Sequence, residues 1–167
     1  MEAFRQAALI AATVTTGLVA GLFYAYACSV MPALRRTDDR TFILVMQRIN
    51  VAILNGWFAA GFAGAPLLTA AALALHLDGE HRGALPWIVA ALLAYGVMLA
   101  VTFGVNIPLN NELDAAGEPD GIADPAAVRA RFEARWVRWN VVRALASTAA
   151  LGLLAWALLM HGTAGAS

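Results

Sequence analysis

Residues 83–111 read GALPWIVAALLAYGVMLAVTFGVNIPLNN and contain no charged side chain. This stretch is longer than the roughly 20 residues that a helix needs to cross a hydrocarbon core. Lipid offers the backbone no hydrogen-bond partners, so long uncharged segments rich in Leu, Ala, Val and Phe are typical of membrane-spanning helices. Three further uncharged stretches occupy residues 6–34, 49–77 and 144–167. The sequence therefore predicts an all-α integral membrane four-helix bundle, with spans at about 7–31, 50–76, 84–107 and 141–161.

The bulk composition sets the class of protein and of partner. The chain has 167 residues, 61% of them hydrophobic, and a formal net charge of zero. Four spans leave little chain for a separate soluble unit, so residues 1–167 are predicted to form a single domain in a lipid bilayer. A neutral chain gives no indication of nucleic-acid binding. Cys28 is the only cysteine, which excludes an intramolecular disulfide and a cysteine-cluster metal site.

Arginine residues are distributed unequally between the two ends of the predicted bundle. Nine of the eleven basic residues, all of them Arg, fall between spans one and two or between spans three and four. The positive-inside rule therefore predicts cytoplasmic 1–2 and 3–4 loops and both termini outside. The lack of Lys and the high Ala content indicate a GC-rich bacterial genome, and hence a bacterial inner membrane.

Two of the helices are predicted to extend beyond the membrane on that same side. After Pro32, Asp38 offers an N-cap for an amphipathic helix that is expected to run into span two without a break. Asp124 and Pro125 restart a second such helix, which continues into span four. The loop between spans two and three carries His76, Asp78, Glu80 and His81. It is too short to place four metal ligands easily, so a solvated turn and no metal site are predicted.

Polar side chains near the membrane gather at one end of the bundle. Amides and a guanidinium are costly to bury in lipid unless they are paired, which favours a functional site. Amides and Trp at an interface also serve purely structural roles, and for any single residue that interpretation is the stronger one. The group as a whole predicts a pocket at the mouth of the bundle. Its members are Tyr24, Tyr26, Gln47, Asn50, Asn106, Asn110, Trp136, Trp139, Asn140 and Arg143.

Four segments in this order resemble the anthrone oxygenase-like family of four-span membrane proteins. The first runs from GLFYAY to MPAL within residues 21–34, and the second is MQRIN at 46–50. The third is NIPLN at 106–110, and the fourth is the Trp-rich run at 132–143. The resemblance covers roughly residues 8–160. It implies that some members oxidise a polyketide anthrone to an anthraquinone with molecular oxygen and without an evident cofactor.

On that resemblance, we expect a lipophilic aromatic small molecule as partner, no cofactor and no metal. Arg143 would pair with the phenolate, while the amides of Gln47, Asn50, Asn110 and Asn140 would donate hydrogen bonds to carbonyl or peroxide oxygens. Substrate-binding roles are predicted for Tyr24, Asn50, Asn106, Trp136 and Trp139. The general base is left open, with Glu112 as the nearest acid and Tyr24 as the nearest other titratable group.

Two other classes of function stay open at this point. The pocket is also suited to a non-catalytic protein that binds or transports a quinone, a lipid or another apolar molecule. The small-residue faces of the spans also allow an accessory subunit of a membrane complex, or a homo-oligomer.

Overall fold

A computed structural model describes residues 1–77 and 82–164 of the chain. In this part all regular secondary structure is helical, which confirms the predicted all-α membrane bundle. The α-helices are α1 (Glu2–Ala25), α2 (Met31–Leu34), α3 (Asp39–Ala52), α4 (Gly56–His76), α5 (Leu85–Val101), α6 (Ile107–Ala115) and α7 (Pro125–Ala164).

Four segments are long and apolar enough to cross a membrane. α1 packs against α4 and α7, and α5 packs against α7 and α4, so the four form a bundle. We call the end that carries α2, α3 and α6 the loop end, and the end with the chain termini the terminal end. The four segments are Glu2–Leu34, Gly56–His76, Arg82–Ala115 and Pro125–Thr163.

Two of these segments contain a π-helical turn at the same distance from a proline. Residues Tyr26–Val30 precede Pro32, and residues Thr102–Asn106 precede Pro108. Proline has no N–H and its ring clashes with the carbonyl of the preceding turn, and a wider turn accommodates both. Pro32 therefore does not end the first helix, which continues through Leu34.

The predicted continuous helix from Asp38 into span two is wrong. α3 ends at Ala52, and α4 begins only at Gly56. The Asn55 side chain explains the break because it serves both helix ends: Oδ1 accepts from the N–H of Phe58 at 3.0 Å, and Nδ2 donates to the carbonyl of Ala52 at 2.8 Å. The span thus starts six residues later than expected, and the chain turns at 53–55.

The helices at the loop end form a second layer with its own core, which we call the cap layer. It consists of α2, α3, α6 and the first turns of α7, and its buried residues include Met46, Leu113 and Phe132. Arg129 of α7 ties the layer together. It donates to the carbonyls of Thr37 and Arg35, forms ion pairs with Asp39 and Glu133, and covers the Phe42 ring at 4.5 Å.

At the terminal end, the prediction of a solvated turn is wrong for His76. This side chain is 1% exposed and its Nε2 lies 3.2 Å from Nδ1 of His161, which is also buried. His161 Nε2 lies 2.8 Å from a carboxylate oxygen of Glu2. Asp78, Glu80 and His81 lie outside the described residues.

Candidate functional site

A cavity of about 230 Å³ lies at the loop end, where the bundle meets the cap layer. Both π turns border it through their first residues, and the break between α3 and α4 forms one of its walls. π turns inside α-helices are frequent at functional sites. The aromatic lining consists of Phe23, Tyr26, Phe58, Phe62 and Trp136. The polar lining consists of Asn50, Thr102, Asn110, Asn111, Asp114 and Arg143.

Arg143 is a buried cation at the wall of this cavity. It is 6% exposed, and among residues 1–77 and 82–164 no carboxylate forms an ion pair with it. Its guanidinium carbon lies 4.3 Å from the ring centre of Phe23 and 5.2 Å from that of Trp136. Its Nε is buried without a hydrogen-bond partner. An uncompensated buried charge is costly, so the arrangement is suited to an anionic ligand.

Asn140 holds the guanidinium in place. Its Oδ1 accepts from Arg143 Nη2 at 3.0 Å, and its Nδ2 donates to the carbonyl of Phe23 at 3.1 Å. Because both ends of this amide are used and the residue is 0% exposed, it links α7 to α1 and orients Arg143. This geometry therefore indicates that Asn140 positions Arg143.

Asn50 of α3 and Asn110 of α6 both bring amide groups to the cavity. Asn110 Oδ1 accepts from the indole Nε1 of Trp136 at 2.8 Å, which leaves its NH₂ group as the donor for a ligand. Asn50 Nδ2 is buried without a hydrogen-bond partner. A buried donor without an acceptor is costly, and a ligand oxygen in the cavity would supply one.

Five of the predicted site residues do not line the cavity, and Asn140, described above, is one of them. Gln47 Nε2 instead donates to the carbonyls of Leu113 and Gly117, at the end of α6. Asn106 is 0% exposed and donates to the carbonyl of Trp136 at 3.3 Å. Trp139 lies under the Arg138 guanidinium, and Tyr24 is 62% exposed on the outer face of α1.

Two titratable residues line the cavity although sequence reasoning assigned them no role: Tyr26 and Asp114. Tyr26 lies three residues after Phe23 on the same face of the helix, and its ring centre is 5.6 Å from that of Trp136. This i, i+3 spacing was the available signal. Asp114 follows Asn110 by four residues on α6, whereas Glu112 lies on another face and lines a small hollow of about 40 Å³.

The geometry therefore combines a compact aromatic chamber, an unpaired guanidinium and free amide donors. The model of a protein family described as anthrone oxygenase matches residues 54–153, more than half of the chain. The chain belongs to the anthrone oxygenase family. The match is shorter than the resemblance at 8–160, and no curated protein and no solved structure matches the chain.

The region matched to the anthrone oxygenase family contains most of the residues that line the cavity. It includes Asn110, Asp114, Trp136 and Arg143, whereas Asn50 lies before it. Within the described part of this family member, no three His, Cys, Asp or Glu side chains are grouped as metal ligands would be.

Proposed function

We propose that this family member is an integral membrane oxygenase that binds a lipophilic phenolic or anthrone-type ring system in the cavity. It oxidises this substrate with molecular oxygen and needs no cofactor. The observation that carries the proposal is Arg143, a guanidinium buried between two aromatic rings with an unpartnered Nε and no carboxylate partner in the described residues. The anion of an anthrone supplies both the missing charge and a flat ring system.

The size and lining of the cavity favour a compact aromatic ligand. Its volume of about 230 Å³ is just below the roughly 300–1,000 Å³ of typical small-molecule sites. The tilted rings of Tyr26 and Trp136, and the stacked pair Phe58 and Phe62, provide flat apolar walls. A planar ring system gains stacking contacts there.

The chemistry needs no group beyond the substrate, oxygen and the side chains. Removal of a C–H proton leaves an electron pair that delocalises onto the carbonyl oxygen, beside Arg143. One electron passes to oxygen, and coupling of the two radicals forms a C–O bond to a peroxide. Loss of the second proton from that carbon breaks the O–O bond, so one anthrone and one oxygen molecule give one anthraquinone and one water. Preorganised donors stabilise the anion because they need no rearrangement.

The side chains divide into those that contact the substrate and those that position them. Arg143 pairs with the anion, and the amide donors of Asn50 and Asn110 bind the carbonyl or peroxide oxygen. Asn140 and Asn106 hold the surrounding helices at fixed distances. Water exclusion by the aromatic walls strengthens each of these interactions.

The test is oxygen uptake by the purified protein with an anthrone, combined with elemental analysis. We expect uptake above the protein-free rate, with equimolar anthraquinone formed and no stoichiometric metal. Tight binding of the anthraquinone without turnover, or flux of a quinone through liposomes, would favour the binding or transport alternative instead. A stoichiometric metal or a bound chromophore required for uptake would contradict the cofactor-free reaction.

We also propose that the chain lies in a bacterial inner membrane with the loop end in the cytoplasm. The nine-to-two distribution of Arg supports this orientation. In a Cys28→Ser background, Thr163→Cys should react with a membrane-impermeant maleimide in intact cells. Arg36→Cys at the loop end should react only after lysis; both positions are exposed. The reverse labelling pattern would contradict the orientation.

A further inference from the structure

Asp114 is an exposed residue on the cavity face of a short, well-anchored helix. Residues 107, 110, 111 and 114 of α6 all line the cavity, which is the spacing of one helical face. On the opposite face, Leu109 and Leu113 are 2% and 1% exposed in the cap-layer core. The orientation of α6 is therefore set by packing.

Two hydrogen-bonded contacts fix the two halves of this helix. Trp136 Nε1 donates to Asn110, one turn before Asp114. Gln47 Nε2 donates to the carbonyl of Leu113, directly before Asp114, and to that of Gly117, both at 3.0 Å. A group that must meet a substrate atom within a narrow distance benefits from such a fixed support.

The other loop-end carboxylates, including Glu118 and Asp120, are not among the residues that line the cavity. Glu133 and Asp39 pair with Arg129, and Asp38 and Asp124 accept from backbone N–H groups at helix starts. Glu112 lines the separate small hollow. Within residues 1–77 and 82–164, Asp114 is thus the carboxylate that lines the cavity, facing the same space as Arg143.

We propose that Asp114 is the general base of the reaction. This inference rests on the proposed function. The Asp114 carboxylate takes the proton from the acidic C–H of the substrate, and the C–H electron pair moves onto the carbonyl oxygen next to Arg143. The negative charge therefore passes from Asp114 to the substrate oxygen. The protonated Asp114 then supplies the proton that the peroxide oxygen takes up, which regenerates the base.

The proton step can be measured apart from oxygen chemistry. In deuterated buffer without oxygen, the wild type should exchange the acidic hydrogens of an anthrone faster than buffer alone. Asp114→Asn should lose about 100-fold or more of that exchange and of aerobic oxygen uptake, since a general base contributes typically 10²–10⁴-fold. Its affinity for the anthraquinone, measured by Trp fluorescence quenching, should stay within about threefold, which shows that the variant is folded.

Two further variants complete the experiment. Glu112→Gln removes an acid two residues away that faces the small hollow, and it should leave exchange and uptake unchanged. Asp114→Glu should restore a measurable part of both rates. Normal exchange in Asp114→Asn would overturn the assignment while leaving the oxygenase proposal intact. A wild type that oxidises anthrone without accelerating hydrogen exchange would also overturn the assignment of Asp114. A wild type that neither oxidises anthrone nor accelerates exchange would refute the proposed function itself.

Discussion

Arg143→Met should abolish substrate oxidation while leaving the protein at least as stable as the wild type. In the proposed reaction, activity depends on the guanidinium as the cation for the substrate anion. Loss of a single preorganised anion-stabilising donor costs about 10²–10³-fold in rate. We expect at least that reduction in kcat/KM for oxygen uptake, because Arg143 carries a full charge as well as donors.

The stability part follows from the cost of burying this charge. The substitution loses two cation–π contacts, worth about 0.5–2 kcal/mol each, and one hydrogen bond from a charged group, worth about 1.5–3 kcal/mol. It also removes an uncompensated buried cation, whose desolvation costs several kcal/mol. These contributions roughly cancel, so the midpoint of thermal unfolding in detergent, followed by Trp fluorescence, should stay the same or rise.

Arg138→Met is the matched control for this substitution. Arg138 lies five residues earlier on α7, is exposed and covers Trp139 at 5.9 Å. Its removal should change neither oxygen uptake nor the unfolding midpoint appreciably. Full activity of Arg143→Met would contradict the role of the guanidinium, and a clearly lowered midpoint would show that the cation serves the fold.

Arg129→Ala should cause the largest loss of stability among single Arg substitutions at the loop end. Arg129 joins α7 to the end of α2 and the start of α3 through backbone carbonyls and two carboxylates, and only 12% of its side chain is exposed. The network is partly buried, with 41% of the Asp39 side chain and 16% of the Glu133 side chain exposed. Removing its cation leaves several acceptors unpaired and costs about 1–3 kcal/mol. The free energy of unfolding, measured by denaturant titration in micelles, should fall accordingly.

Two variants separate this effect from a general loss of charge. Arg135→Ala, at an exposed position of the same helix, should change the free energy of unfolding by less than about 0.5 kcal/mol. Arg129→Lys should recover only part of the loss, because an ammonium lacks the planar fork that reaches several acceptors at once. An Arg129→Ala variant as stable as Arg135→Ala would contradict the assigned role.

The fold was predictable because membrane physics imposes strong constraints on composition. Charge-free stretches of sufficient length leave few alternatives to a helical bundle. The break at Asn55 was less visible because the residues around it are apolar and the Asn cap resembles any other interfacial amide. The pairing of His76 with His161 joins positions 85 residues apart, and no local pattern signals it.

The candidate site was predictable in its location and only partly in its members. Asn50, Asn110, Trp136 and Arg143 line the cavity because polar groups near lipid need partners. The prediction of Tyr24 instead of Tyr26 depended on which side of the helix faces inward, because adjacent residues of a helix point about 100° apart. Sequence alone does not show which of these two tyrosines faces inward, because it does not reveal the π turn that begins at Tyr26.

The π turns also determine how the chain presents its side chains beyond them. Each such turn acts as one additional residue in an α-helix, which advances everything after it by about 100° around the axis. Asn110 and Asp114 face the cavity through that rotation. Deleting one residue from 102–106 would leave the sequence of α6 unchanged but rotate its polar face away from the cavity. The number of residues in 102–106, as well as their identity, therefore determines which side chains of α6 face the cavity.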